Sequence, residues 1–282
     1  MTEQSVNRSE NVLQVAGNVE INNRYGLSVH EVRELTQIFM RENFPVLRAE
    51  AIAAAQANVE IFLRQFEEKI AQNIGRIDPN RFKDPDIQSS LNDAVLEAAK
   101  KGHRSNSDLL AELVTERLNI GTNDYVSLVV SEAIKVVSRL TPDQIGFLTL
   151  ALFLTSTKVT SATSLGDLLP LATTVLQTSQ HSFGLSESKK SHLEFAGCAK
   201  VLQFMSNSTY SVWKANYDFL KDMPDEELKK TIEQDFPVLH ELAKAFDDNK
   251  LGQISLTSVG KVIGLANLSK RVPGLEYANW LN

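Results

Sequence analysis

From Leu13 to Ile21 the large apolar side chains Leu13, Val15, Val19 and Ile21 alternate with Gln14, Ala16, Asn18 and Glu20, and Gly17 stands between them. Period two is the mark of a half-buried strand. A hairpin turning at Gly17-Asn18 would split the apolar set between two faces, so a single strand is the better reading. Such a strand leaves a row of backbone donors and acceptors open. Two partners are on offer: the short segment Gln253 to Thr257 of the same chain, or the same strand of a second copy. In the second case Leu13, Val15, Val19 and Ile21 form the self-associating face, and Gly17 permits close backbone approach.

Beyond Leu27 the period becomes helical. Ser28 with Glu31 forms a capping box, and Leu27 with Val32 forms a hydrophobic staple. Val32, Leu35, Ile38 and Phe39 recur at three and four, and Pro45 then predicts a kink or restart. The following helix carries Ile52, Ala55, Val59, Phe62, Phe66 and Ile70, close to a heptad seam, and the stretch "AEAIAAAQA" adds high propensity. Val59, Phe62 and Phe66 can line a seam with a second copy or pack within one chain.

Downstream, Asp84-Pro85-Asp86 supplies an N-cap, a first-turn proline and an acid for the next helix. Helices follow near Ser107 and Asn123, and Thr141-Pro142-Asp143-Gln144 combines a capping box with proline at the first position. The last of these contains the most apolar run, Ile145 to Leu154, about half of the roughly 20 residues that span a bilayer, so it reads as a buried helix. Later expectations are a short helix broken at Pro170 and helices over Ser191 to Met205, Tyr210 to Leu220, Asp225 to Asp235 and Pro237 to Phe246. A short strand then precedes a helix from Ser258 to Ser269. The fold class is mainly α, an irregular bundle of about ten helices with minor strand content. The suggested organisation is an extension over 1–26, a helical domain over 27–160 and a second over 161–282, divided softly at the polar run Thr155 to Ser164.

The segments "QVAGNVEI", "GLSVHEVREL", "FKDPDIQSSL", "HLEFAGC" and "LTSVGKVIGLANL", in this order over nearly the whole length, resemble an uncharacterised family of bacterial, mainly helical proteins with a glycine-centred strand motif at the front. The resemblance implies a bacterial origin and carries no activity with it.

Composition narrows the function classes. Of the 282 residues, 43% are hydrophobic and 23% charged, as in ordinary globular proteins, and the net charge of −6 argues against the whole surface binding a polyanion. The single cysteine, Cys198, leaves no intramolecular disulfide and no cysteine-rich metal site, which fits a reducing compartment. The polar start has no apolar run behind it, so a cytoplasmic location is expected, without a membrane span.

The candidate chemistry is thin. Asp247 to Ser258 brings Asp247 and Asn249 to calcium-loop positions but places Leu251 and Ser258 where oxygen ligands are needed, so a plain helix, turn and strand is expected. The same segment, running into "LTSVGKVIG", has the order of the last part of a winged-helix unit. Lys250, Lys261, Lys270 and Arg271 make that end locally basic, and Lys261, Lys270 and Arg271 are the candidate nucleic-acid contacts. His30, His103, His181, His192 and His240 have no metal-ligand spacing. Cys198 reads as a small hydrophobe on a buried helix rather than as the partner of His192. Gly260 and Gly264, four apart, permit close packing of the last long helix. No nucleophile elbow, phosphate loop or dinucleotide fingerprint occurs. The expectation is a non-enzymatic interaction or assembly protein, without cofactor or metal, that forms a homo-oligomer through the N-terminal strand and the long helix. Its protein partner is not specified by any residue. A role in phage defence suits such a protein, though no residue points to one, and a nucleic-acid-binding regulator is the alternative.

Overall fold

The structure, a computed structural model, describes residues 29–202 and 208–281, and the side chains of 29–32, 35–37 and 39–47 lie outside that description. The strand expected over Leu13 to Ile21, with Leu13, Val15, Gly17, Val19 and Ile21, therefore falls outside the described residues, as does the capping box at Ser28. Among the described residues there are twelve α-helices and one small two-stranded sheet. The chain divides into two compact units, Met1–Ala54 and Ala55–Asn282.

The first helix, α1, spans Val29–Gln72. The restart expected at Pro45 does not occur. Proline costs one backbone hydrogen bond and crowds the preceding turn, but the alanine-rich stretch that follows has the propensity to carry the helix on. Arg48–Ala54, in the first unit, is solvent-exposed at every position.

Within the second unit the remainder of α1 turns Phe62 and Phe66 into the core, where their rings stack with centroids 6.0 Å apart. Next come α2 (Pro85–Lys101), α3 (Ser107–Leu118) and α4 (Asp124–Val137). The Asp84 carboxylate caps α2 by accepting from the Asp86 N–H at 3.0 Å, as its sequence requires. These three helices are tied together by Arg117 of α3, a side chain only 1% exposed. Its guanidinium donates to Asp86 and Ser90 on α2 and, at 3.0 Å, to Ser127 Oγ on α4.

Helix α5 (Pro142–Ser156) is apolar on all sides and is buried from Gln144 through Leu154. It packs against α6 (Leu169–Ser179) and α11 (Ser258–Ser269). A burial this complete explains why the apolar run needs no membrane, and no described helix is long and apolar enough to cross one. Pro170 does not break α6 but opens it, in the first turn, where its missing N–H has no helical acceptor to lose. The polar segment around residue 160 lies inside this unit. One hydrophobic core continues across it from α5 to Leu165, Leu168 and Ala172.

Helix α11 approaches its neighbours closely because of its two glycines. A Cβ on Gly260 would fall 1.9 Å from the Cys198 carbonyl oxygen, and one on Gly264 would fall 2.9 Å from the Leu148 carbonyl oxygen on α5. The Asn267 amide on α11 donates to Thr149 Oγ1 of α5 at 2.9 Å, a buried polar tie between the two central helices.

The helix expected from Ser191 to Met205 is shorter than its sequence suggests. Helix α7 is Glu187–Phe195, and Gly197, at φ 75°, ends it. The Gly197 N–H donates to Glu194 O and the Cys198 N–H to Leu193 O, the double hydrogen bond of a Schellman stop. The chain then enters β1 (Ala199–Val201), which pairs antiparallel with β2 (Ile254–Leu256) in the register Ala199 to Leu256. The strand expected near Gln253 is thus real, and its described partner is a segment read from the sequence as helix. Cys198 is buried, as a structural cysteine should be, but in the turn into β1 rather than on a helix.

Helices α8 (Thr209–Asn216), α9 (Asp225–Asp235) and α10 (Pro237–Asp248) precede β2, and α12 (Ala278–Leu281) closes the chain. After α10, Asn249 is wholly buried. Its Oδ1 accepts from the Gly184 and Leu185 N–H groups, both at 3.1 Å, and its amide donates to Ala245 O. That is a clasp between two loops, and it leaves no oxygen of Asn249 for a cation.

Candidate functional site

The C-terminal segment builds the most distinctive polar hollow of the second unit. Gly274, at φ 80°, turns the chain after α11 so that Leu275 to Leu281 returns along the body. Trp280 Nε1 donates to Thr157 Oγ1 at 3.3 Å and Lys261 Nζ donates to Trp280 O at 3.1 Å, which fixes the return. Tyr277 is thereby driven inward and is 2% exposed.

Opposite Tyr277, the loop after α1 is laced to the loop after α3. Ile77 and Asn119 form an antiparallel bridge, the Asp78 N–H donates to Leu118 O at 2.9 Å, and the Ile120 N–H donates to Arg76 O at 2.8 Å. Arg81 Nη1 adds a bond to Asn119 O at 2.8 Å. These ties hold Arg76 and Asn119 beside Glu116 on the last turn of α3.

Two adjoining hollows of about 280 and 100 Å³ share Arg76, Glu116, Asn119 and Tyr277. Glu116 is nearly buried. Loss of water pushes its carboxyl up to about 7, only partly offset by the Asn119 amide, which donates to its Oε2 at 2.5 Å, and by the Arg76 charge. Burial also raises the Tyr277 phenol well above its usual range, with Glu112 and Glu116 adding to the effect, so Tyr277 is a neutral hydroxyl. Among the described residues neither its oxygen nor Asn119 Oδ1 meets a partner at hydrogen-bonding distance and angle. Ser269 lies beside the phenol, but its Oγ sits 2.8 Å from Glu112 Oε1 and 2.9 Å from Ala266 O. Glu112 is further paired with Lys69 at 2.7 Å.

None of these residues stands out in the sequence as chemistry. Glu112, Glu116 and Arg117 do interrupt an otherwise apolar helix, the one sequence signal that marks the place. Tyr277 lies in an apolar closing stretch with Leu275, Trp280 and Leu281, and it packs into the body.

The basic end is arranged differently from a free cationic patch. Lys261 is bonded to Trp280 O, Lys270 is paired with Asp108, and Arg271 Nη1 donates to Gln177 Oε1 at 3.0 Å. The three cations therefore serve three separate intramolecular contacts. Among the described residues no group of three or more metal-ligating side chains comes together. His192 Nδ1 accepts from the Gln144 amide at 3.0 Å, and burial raises the Cys198 thiol to about 12, so no reactive thiolate forms there. A larger hollow of about 680 Å³ lies between Lys101, Arg104, Arg139 and Pro142, but Lys101 is already held by Glu97 and Ser138, and the hollow contains no buried polar atom without a partner.

Neither curated proteins nor solved structures match this chain. A protein-family model does, over residues 26–222 and 214–281, and it brings no catalytic motif with it. Matching nearly the whole length, it shows that the chain belongs to an uncharacterised protein family.

Proposed function

We propose that the protein is a non-enzymatic, cytoplasmic assembly factor that self-associates through its long helix, with the N-terminal strand region contributing a second contact. The observation that supports this is the exposure of α1 over Arg48–Ala54 on all sides. A helical stretch with no buried face draws no stabilisation from tertiary packing, from which most helical stability in proteins comes. Its composition, "RAEAIAA", is small and apolar with a single opposite-charge pair, the kind of surface on which two helices approach closely. Ile38 and Ile52, both about half exposed, are fourteen residues apart, which returns a helix to nearly the same face. Charges of both signs, Arg48 and Glu50, make the stretch self-complementary, as a two-fold contact between copies requires. Phe62 and Phe66 do not belong to this contact, because the chain's own core holds them.

The test is light-scattering mass across a concentration series for the full chain, for Ile52→Glu, and for a chain truncated to begin at Leu27. An oligomer that dissociates on Ile52→Glu with unchanged helical circular dichroism supports the helix contact. Dissociation on truncation alone assigns assembly to the strand region. A full chain that stays monomeric up to about 100 μM, far above the micromolar range of ordinary specific contacts, overturns the proposal.

A further inference from the structure

We infer that the hollow between the turn joining α2 to α3 and the turn joining α4 to α5 binds a small molecule carrying a phosphate or diphosphate group, through Arg104, Arg139 and His103. The two turns are laced together. Asn106, in the left-handed region at φ 55°, donates its amide to Val137 O at 2.8 Å and to Leu140 O at 3.0 Å, and Lys101 Nζ donates to Ser138 O at 2.9 Å. These bonds fix the walls of a hollow of about 680 Å³, inside the usual size range of small-molecule sites.

The charge of the hollow is one-sided. Lys101, His103, Arg104 and Arg139 line it and no carboxylate does, on a chain whose net charge is −6. Lys101 is paired with Glu97 at 2.9 Å. Arg104 and Arg139 are exposed and have neither an ion pair nor a side-chain hydrogen bond among the described residues. Each has a carboxylate four residues further along the chain, but Lys270 holds Asp108 and Lys189 holds Asp143. The acid seven residues back is also taken in both cases, Glu97 by Lys101 and Glu132 by Lys135. Two guanidinium groups without a counter-ion therefore line one hollow. Each fork donates two parallel hydrogen bonds, and a carboxylate, with two oxygens and one charge, satisfies only one fork. A phosphate ester, with three terminal oxygens and nearly two charges, or a diphosphate, serves both. The His103 imidazole, which makes no bond among the described residues, adds a donor. An inorganic phosphate fills only a small part of the volume, which leaves room for an organic group beside Pro142.

The experiment is isothermal titration calorimetry and thermal shift on the full chain in about 150 mM salt, which screens exposed charges beyond about 8 Å. Pyrophosphate and adenosine diphosphate, without divalent metal, are the probes, and adenosine and citrate are the controls. At least one probe should bind with a dissociation constant below about 1 mM, and both controls about tenfold or more weakly than that. Arg104→Gln and Arg139→Gln should each weaken the binding by about tenfold or more, the worth of hydrogen bonds to a charged group. Both side chains are exposed and unpaired, so the fold survives either change, and an unchanged melting temperature without ligand is the control. Tighter binding of adenosine diphosphate than of pyrophosphate assigns the site to an organic phosphate, and equal binding assigns it to the phosphate groups alone. Neither heat nor a thermal shift from either probe at millimolar concentration overturns the inference. Citrate that matches the better probe overturns it as well, since any anion would then serve, and so does binding that either variant leaves unchanged.

Discussion

Glu116 should make the protein less stable as the pH rises through neutrality. Burial lifts its carboxyl from an ordinary 4.5 to about 7, so between those values the folded chain holds a proton that the unfolded chain has released. Stability falls with pH wherever the folded state binds more protons. The contribution is therefore fully present below about pH 4.5 and is lost as the pH passes 7. At about 1.4 kcal/mol for each tenfold in the proton equilibrium, the loss comes to about 3 kcal/mol. In a chain of this size that is a fall of about 5 °C in melting temperature. Glu97 and Asp143 act in the opposite direction. Their partial burial is outweighed by Lys101 and Lys189, which hold them below the usual carboxylate range, so their stabilisation disappears only in acid and outside the window of interest. Glu116→Gln removes the titration, keeps an oxygen for the Asn119 amide and isolates the effect. Melting temperatures of wild type and variant should nearly coincide at pH 5, and the variant should lead by several degrees at pH 8. A constant difference from pH 5 to 8, or one that widens toward acid, would refute the reasoning.

Three further outcomes follow from the packing. Gly260→Ala should destabilise by about 2 kcal/mol, because a Cβ set 1.9 Å from the Cys198 carbonyl forces α11 off β1 at a cost that exceeds the roughly 1 kcal/mol of helix propensity gained. Gly75→Ala, with no atom within 4 Å, should change thermal stability by less than about 0.5 kcal/mol, and equal effects at the two sites would contradict the close approach. Arg117→Met should cost about 2–3 kcal/mol in denaturant titrations, chiefly by orphaning the buried Ser90 and Ser127 hydroxyls, since Asp86 itself remains in solvent; a neutral result would mean that the clasp is not needed. Cys198, buried and held near 12, should react with a disulfide reagent only as fast as the chain opens, and stoichiometrically in denaturant; rapid modification of the native protein would place it at the surface.

What the sequence shows reliably is whatever depends on neighbours in the chain. The Thr141 to Gln144 box caps α5, Asp84 caps α2, and α9 and α11 have the limits their polar patterns predict, because a cap is decided within one turn. Gly260 and Gly264 also read correctly, since four-residue spacing already places them on one face. The errors arise where a residue's role is set from a distance or by a single backbone angle. Gly197 could be read as one more small residue in a buried helix, and only its positive φ turns the chain into β1. The polar hollow lay beyond reach for the same reason. Arg76, Glu116 and Tyr277 are far apart in sequence, and each alone is an ordinary surface-type residue.

That hollow is also where the fold departs most from what stability alone would select. A chain able to bury α5 from Gln144 to Leu154 has apolar side chains enough to fill a small cavity, yet here it encloses a carboxyl that resists ionisation, a phenol without a partner and an amide oxygen without a donor. Each such group costs of the order of 1–3 kcal/mol when left dry. Leucine or methionine at Glu116 and phenylalanine at Tyr277 would remove most of that cost without altering a helix or a turn. Local departures of this kind, in a structure otherwise consistent at every level, tend to mark sites of function. The exposed stretch of α1 is a departure of the other kind, a well-formed helix that nothing among the described residues buries. The second asks for a protein surface, and the light-scattering series tests it independently of the titration of Glu116.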